Sequence, residues 1–234
     1  MSTGCLLVVA KAPVAGLAKT RLGAVIGHEA AADLAAAALL DTLDAVRAVP
    51  DTITVVAMTG DAAHAKRSDE LAEVLRTCVV FPQRGKDFAD RLANAHADVA
   101  ANFPGRPVFQ VGMDTPQLHP RVLVGALVRL AEDGTDAVLG PATDGGWWGL
   151  GLRDPAAADV LRAVRMSRSD TGTRTLFALR GAGNRVSKLP TLSDVDTLTD
   201  AVRVGAMIPR SRFATALANL SHWLPREYAE AAAQ

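Results

Sequence analysis

Four carboxylates and three cations stand where strand-like runs end. Asp114, Asp144, Asp194 and Asp196 each follow an apolar run, and Lys11, Lys19 and Arg21 fall within eleven positions after the first such run. Carboxylate oxygens favour hard divalent cations, and magnesium typically keeps some waters and takes up substrate phosphate oxygens beside one or two of them. Lysine offers a point charge and arginine a planar fork, both suited to a diphosphate or triphosphate. Together the two sets have the composition of a metal-nucleotide site.

Each residue also has a plainer use. Asp114 precedes Thr115-Pro116 and suits a turn or a helix cap, Asp144 before Gly145-Gly146 is a tight-turn signal, and Asp194 and Asp196 suit the cap of a last helix. The basic stretch is equally the pattern of a solvated turn. It is not a P-loop, because Pro13 and Ala18 stand where that motif needs glycine before Lys19-Thr20. Four aspartates at strand ends together favour a site over four separate caps. Histidines 28, 64, 96, 119 and 222 show no metal-ligand spacing and read as surface or helix-end residues. Ser167, Ser169 and Ser193 lie in no nucleophile elbow. Trp147-Trp148, in a chain poor in aromatics, suits either the core or the flat wall of an acceptor pocket.

The elements that must carry these residues alternate. Cys5 to Ala10 is an unbroken apolar run, the pattern of a strand buried on both faces of a parallel sheet. Further strands are expected at Thr52 to Met58, Cys78 to Phe81, Pro107 to Val111, Ala137 to Leu139, Trp147 to Leu152 and Arg185 to Leu189. Helices are expected at His28 to Val49, Asp61 to Arg76, Asp87 to Phe103, His119 to Asp133, Pro155 to Val164 and Thr173 to Arg180, with a helical tail from Thr197 that carries Trp223 and Tyr228. Strand-helix alternation predicts an α/β fold, doubly wound, whose ligand site lies at the carboxyl ends of the strands. A second basic loop, Pro82 to Lys86, adds Arg84 at another of those ends. One domain over residues 1–208 accounts for the pattern, and residues 209–234 form a tail suited to packing on the body or on a second subunit of a homodimer.

The charges sum to zero, which gives no global electrostatic support for a nucleic-acid or anionic membrane partner. The longest apolar stretches fall short of the ~20 residues of a membrane helix, and Met1 to Ala10 lacks the basic leader of a signal peptide, so a cytoplasmic protein is expected. Cys5 and Cys78, far apart in apolar contexts, read as core thiols.

The blocks KAPVAGLAKTRL, QRGKDFADRLANAHADV, VGMDTPQL, AVLGPATDGGWWGLGL and DVDT resemble, in order over about the first two hundred residues, a bacterial glycosyltransferase family of the nucleotide-diphospho-sugar transferase superfamily. Some of its members are assigned to arsenosugar biosynthesis. The resemblance implies the GT-A fold, a Rossmann-like α/β/α sandwich with a mostly parallel sheet. The chain is more distantly similar to the phospholactate and phosphoenolpyruvate guanylyltransferases of deazaflavin cofactor synthesis, through AKTRL, the block around Asp114 and the D-x-D pair. That similarity implies that Asp114, Asp194 and Asp196 hold Mg2+ or Mn2+. Met113 and Leu198 depart from the related patterns next to these carboxylates.

A metal-dependent transferase is therefore expected, binding a nucleotide or nucleotide-sugar donor and a small-molecule acceptor. Lys11, Ala12, Pro13, Gly16, Lys19, Arg21 and Arg84 would bind nucleotide and phosphate, with Lys19 and Arg21 neutralising the leaving group. Asp144 would be the general base of an inverting transfer, beside an acceptor pocket at Gly145, Gly146 and Trp147. Nucleotidyl transfer to a small phosphorylated acid needs no such base and is the rival expectation. A non-catalytic nucleotide-binding protein is a third.

Overall fold

The apolar run at the start of the chain forms the central strand. In a computed structural model that describes residues 4–220, β1 (Cys5–Lys11) is buried along its length up to Lys11. It pairs in parallel with β2 (Ile53–Thr59) on one side and β4 (Val108–Gly112) on the other. The sheet is completed by β3 (Val79–Pro82), β5 (Ala137–Pro141), β6 (Trp147–Leu152) and β7 (Val186–Lys188), in the order β3-β2-β1-β4-β6-β5-β7. Only β6 runs against the others, as the return arm of a hairpin from β5. Strand order reverses between β1 and β4, and that is where an open sheet leaves a crevice beyond its carboxyl edge.

The two-residue period of β1 divides the core into layers. Leu6, Val8 and Ala10 face Leu39, Leu40 and Leu43 of α2 (His28–Arg47) and Leu123 and Leu130 of α5 (Pro120–Ala131). Cys5, Leu7 and Val9 face the opposite layer, with Leu92 and Val99 of α4 (Phe88–Asn102) and Leu179 of α6 (Thr171–Gly181). Each such fully buried leucine contributes roughly 1.5–3 kcal/mol of burial. A third cluster joins Leu22 of α1 (Thr20–Ile26) and Leu34 to Val204 of α7 (Leu198–Met207) and Phe213 of α8 (Arg212–Ala218). The last helix of the described residues thus packs on α2 of the same chain, where the Phe213 amide donates to Asp41 Oδ2 at 2.9 Å. Trp223 and Tyr228 lie outside the described residues.

The GLG of β6 has a steric cause. A Cβ at Gly149 would come within 2.7 Å of the Phe109 ring, and one at Gly151 within 2.5 Å of Val138 and 2.8 Å of the same ring. Phe109, fully buried, meets Trp148 edge-on with centroids 5.9 Å apart.

Three expectations need correction. The expected helix from Asp61 to Arg76 is a 3-10 turn at Ala62–His64 and then α3 (Ser68–Leu75), broken where Lys66 donates its amide to the Pro13 carbonyl and Arg67 turns left-handed to pair with Asp33. Pro155–Ala163 is 3-10 rather than α, and its buried residues Pro155, Ala158 and Leu161 recur every three positions, the period that aligns them on one face of that tighter helix. The basic stretch after β1 is not all turn, since Thr20 and Arg21 belong to α1. Of the thiols, Cys5 is buried and Cys78 half-buried, and both are free. Among the described residues no helix is long and apolar enough to cross a membrane.

Candidate active site

At the end of β1 the chain turns at once. The Val14 amide donates to the Ala12 carbonyl at 2.8 Å, and the Ala12 amide to Thr59 of β2 at 2.8 Å. Ala12 and Pro13 are buried and hold this turn, while Gly16 supplies its positive φ of 76°. Lys19 then begins α1 in the left-handed region, at φ 47°, which costs a residue with a Cβ roughly 1–2 kcal/mol. What holds it there is charge: its ammonium lies 2.8 Å from Asp114 Oδ2 and 2.7 Å from Asp196 Oδ1. Burial alone would pull the Lys19 pKa down, but the two carboxylates outweigh burial and hold it above the ordinary lysine value.

Asp114 follows β4, the strand beside β1. Its carboxylate folds back over Gly112, where a Cβ would stand 2.8 Å from Oδ1. Asp194 and Asp196 arrive by another route than a strand end. After β7 the chain runs on along the β5 hairpin, with the Leu192 amide on the Pro141 carbonyl and the Thr143 amide on Leu192. It then crosses to the Asp114 loop, where the Val195 amide donates to the Asp114 carbonyl at 3.0 Å and the Gln117 side-chain amide to the Ser193 carbonyl. Carboxylate oxygens of Asp114, Asp194 and Asp196 come within 4.8 Å of one another. None of the three caps a helix: His119 caps α5 and Thr197 caps α7, the latter in a reciprocal box with Asp200.

Burial pushes the Asp194 carboxyl up to about 6, and the negative charges of Asp144, Asp114 and Asp196 push in the same direction. One lysine therefore does not balance the cluster. Three hard oxygens within reach of a common centre, carrying more negative charge than Lys19 offsets, fit a divalent cation of the magnesium type.

Asp144 sits at the tip of the β5–β6 hairpin and does serve the turn, its Oδ1 accepting the Gly146 amide at 2.7 Å. Gly145 has a φ of 89°, and a Cβ there would fall 1.9 Å from the Ser169 carbonyl oxygen. The two tryptophans divide between the two expected roles. Trp148 is core, donating its indole N–H to Pro190 at 2.9 Å, whereas Trp147 stands half-buried on the wall of the cleft.

The cleft at this sheet edge has a volume of about 1040 Å3. It brings together Lys11, Lys19 and Arg21 with Asp114, Asp144, Asp194 and Asp196, and also Gly146 and Trp147. Ala12, Pro13, Gly16 and Gly145 are not among its lining residues, and neither is Arg84, whose guanidinium pairs with Asp98 of α4. Sequence reasoning missed Phe88 and Arg91 on the first turn of α4, Met166 and Arg168 before α6, and Arg203 of α7. Phe88 and Arg91, three apart at a helix start just after a strand end, carried a usable signal; Met166 and Arg168 carried none. It also misread His96, which is not at the surface but fully buried, with Nε2 2.9 Å from Oε1 of Gln110 on the cleft floor. Burial lowers the His96 pKa to about 4, partly offset by that hydrogen bond.

No protein of curated function matches the chain in sequence. Among solved structures, a candidate nucleotide-diphospho-sugar transferase from Desulfovibrio desulfuricans G20 is 28% identical, with 97% of this chain and 99% of that chain covered and a TM-score of 0.82. A 4-diphosphocytidyl-2C-methyl-D-erythritol synthase from Anaerococcus prevotii DSM 20548 is 12% identical, over 89% of this chain and 97% of that chain, at a TM-score of 0.57. A CMP:2-keto-3-deoxy-manno-octonic acid synthetase complexed with CTP is 14% identical, over 89% and 99%, at 0.54. The latter two share the fold alone, which is the mostly parallel, helix-flanked sheet described above. Residues 42–168 match the model of the family described as uncharacterized protein conserved in bacteria (DUF2064), a span that includes Arg91, Asp114 and Asp144. With that match extending over more than half of its length, the chain belongs to the DUF2064 family.

Proposed function

We propose that the chain is a cytoplasmic transferase acting on nucleotide-linked substrates, and that it moves a glycosyl group from a nucleotide diphosphate sugar to a small-molecule acceptor. The observation that carries this reading is the convergence of Asp114, Asp194 and Asp196 at the switch point of the sheet, with Asp114 and Asp196 paired to the Lys19 ammonium. The relative from Desulfovibrio desulfuricans G20, similar over nearly the whole chain, supports the donor class.

In this reading Asp114, Asp194 and Asp196 hold Mg2+ or Mn2+, which supplies charge neutralisation to a departing diphosphate. Lys11 and Arg21, exposed at the cleft edge, bind the phosphate oxygens. Lys19 shares the leaving group's charge from a fixed position, a preorganised electrostatic contribution. Asp144 takes the proton of an acceptor hydroxyl through the oxygen not engaged by Gly146, as the general base of an inverting transfer. Gly146 and Trp147 border the acceptor.

Nucleotidyl transfer is the second reading, favoured by the hydrogen bond that commits one Asp144 oxygen to its turn. An acceptor oxygen that is already ionised needs no base, and positioning with charge neutralisation does the work. A thermal-shift panel of nucleoside triphosphates and nucleotide diphosphate sugars, with and without manganese, tests both. A ligand at ~100 times its Kd adds about 2.7 kcal/mol of stability. Metal-dependent stabilisation by one sugar nucleotide, with at least tenfold loss of turnover in Asp144→Asn, supports glycosyl transfer. Stabilisation by triphosphates alone, with Asp144→Asn near wild type, moves the assignment to nucleotidyl transfer, and no response to either class overturns both.

A further inference from the structure

The cleft has two unlike sides. Lys19, Asp114 and Asp196 lie with α1 and α7 on one, and Phe88, Arg91, Trp147 and Met166 lie with the α4–α6 layer on the other. On the first side the central cation is paired, and so is Arg203, 2.7 Å from Asp200. On the second, the Arg91 side chain makes no hydrogen bond or ion pair with any described residue. It is nonetheless held in place, with its guanidinium carbon 5.7 Å from the Phe88 ring centroid and its Nε enclosed without an acceptor. Arg168 stands on the same side, only loosely tied to Asp170 at 3.8 Å.

A surface arginine needs no partner because water supplies one. Arg91 is different: it is half-buried, its Nε is shut off, its guanidinium lies over the Phe88 ring, and Leu92, Trp147 and Met166 line the same cleft. Buried polar groups left unpaired call for an explanation, and a planar guanidinium beside aromatic walls matches an oxyanion bidentately. The Trp147 indole N–H, enclosed and likewise unpaired, adds a second donor without an acceptor on this side.

Resting on the transferase reading, we infer that this side is an acceptor subsite for a small anionic molecule: a carboxylate or phosphate, gripped by Arg91 with help from Arg168, attached to a planar or apolar body that lies against Trp147, Phe88 and Met166. Asp144, three residues before Trp147 on the same hairpin, lines the same cleft. The two sides thus divide the work, one holding donor phosphates and metal, the other holding the acceptor by its own charge.

The test uses phenyl phosphate, benzoate and phenol as probes, titrated calorimetrically into the full chain and into Arg91→Gln and Arg91→Lys. At least one anion is expected to bind at least tenfold more tightly than phenol, and the tighter of the two identifies the anion class. Arg91→Gln should weaken that anion at least tenfold and Arg91→Lys by less, since the lysine keeps charge but loses the fork. If the glutamine variant does not fold, the same ordering between wild type and lysine variant decides. Binding of neither anion, affinities unchanged in a folded Arg91 variant, or displacement of the bound anion by a manganese-nucleotide complex would overturn the subsite. Nucleotide binding with manganese, read on the same samples, reports on the opposite side separately: its absence beside intact anion binding counts against the transferase reading, and its presence without anion binding counts against the subsite alone.

Discussion

Two basic loops that look alike in the sequence end in different places. The one after β1 sends Lys19 between two aspartates, whereas the one after β3 sends Arg84 away from the cleft to Asp98 on the next helix. Position in the sheet explains the difference. β1 is central and borders β4 where strand order reverses, so its loop faces Asp114 at the end of β4 and Asp196 on the segment that crosses to it before α7. β3 is an edge strand, and its loop finds partners on the helix that follows it. The useful residue there is Gln83, which lines the cleft and whose side-chain amide donates to the Ala10 and Ala57 carbonyls at 2.8 Å each. A cation at a strand end therefore marks a ligand site only when the strand lies beside the switch point.

The comparison can be strained by substitution. Asp114→Asn carries the largest expected effect, removing one proposed metal ligand and one Lys19 partner. Manganese-dependent nucleotide affinity should fall at least ~100-fold, beyond the ~10–100-fold that an outer supporting residue commands; an unchanged calorimetric titration would refute the metal site.

Acid distinguishes the floor under the first loop from the second loop, because only that floor rests on a buried base. His96 has a folded pKa of about 4, against ~6.5 in an unfolded chain. Below pH 6.5 the unfolded chain takes up a proton that the native one refuses, so stability is full above pH 6.5 and falls toward pH 4, by about 3 kcal/mol. Asp194, raised to about 6 in the fold, acts in the opposite sense: the native state is protonated first, and acid relieves it. Urea unfolding at pH 6.5 and pH 4.5 should thus show a steeper acid loss in Asp194→Asn than in wild type; equal slopes would contradict the raised Asp194 carboxyl, and no acid loss in Asp194→Asn would contradict the buried assignment of His96.

Lys19→Met comes next. Without a divalent cation it should cost about 1–2 kcal/mol, discounted for the partial exposure of both aspartates. Manganese should restore more stability to this variant than it adds to wild type, since the lysine shares the carboxylates any metal would use. Arg84→Ala is expected to shift stability by less than about 0.5 kcal/mol, as an exposed pair does, and to leave nucleotide binding alone. A loss of nucleotide affinity in Arg84→Ala as large as that in Lys19→Met would erase the distinction between the loops.

The layered fold was legible because the apolar runs and helical periods of this chain rarely compete. Asp114 was legible as a candidate-site residue because it comes at the end of the strand-like run that precedes it. Asp194 and Asp196 were legible by composition, but their approach was not, since backbone bonds from Val195 and Leu192 bring them in after β7 has ended. Phe88, Arg91, Met166 and Arg168 escaped because they lie on a helix face and in the loop before α6, away from strand ends. The break between Ala62–His64 and α3 escaped because it depends on Pro13 and Asp33, far off in sequence.

The hairpin tip and the start of α6 touch backbone to backbone. The Gly172 amide donates to the Gly145 carbonyl at 2.9 Å, and a Cβ on Gly172 would fall 2.4 Å from the Gly146 oxygen. No side chain stands between them to slide or change rotamer. The Arg168 loop and the Asp144 turn are therefore set against each other by backbone alone, so a displacement of one that keeps this contact displaces the other.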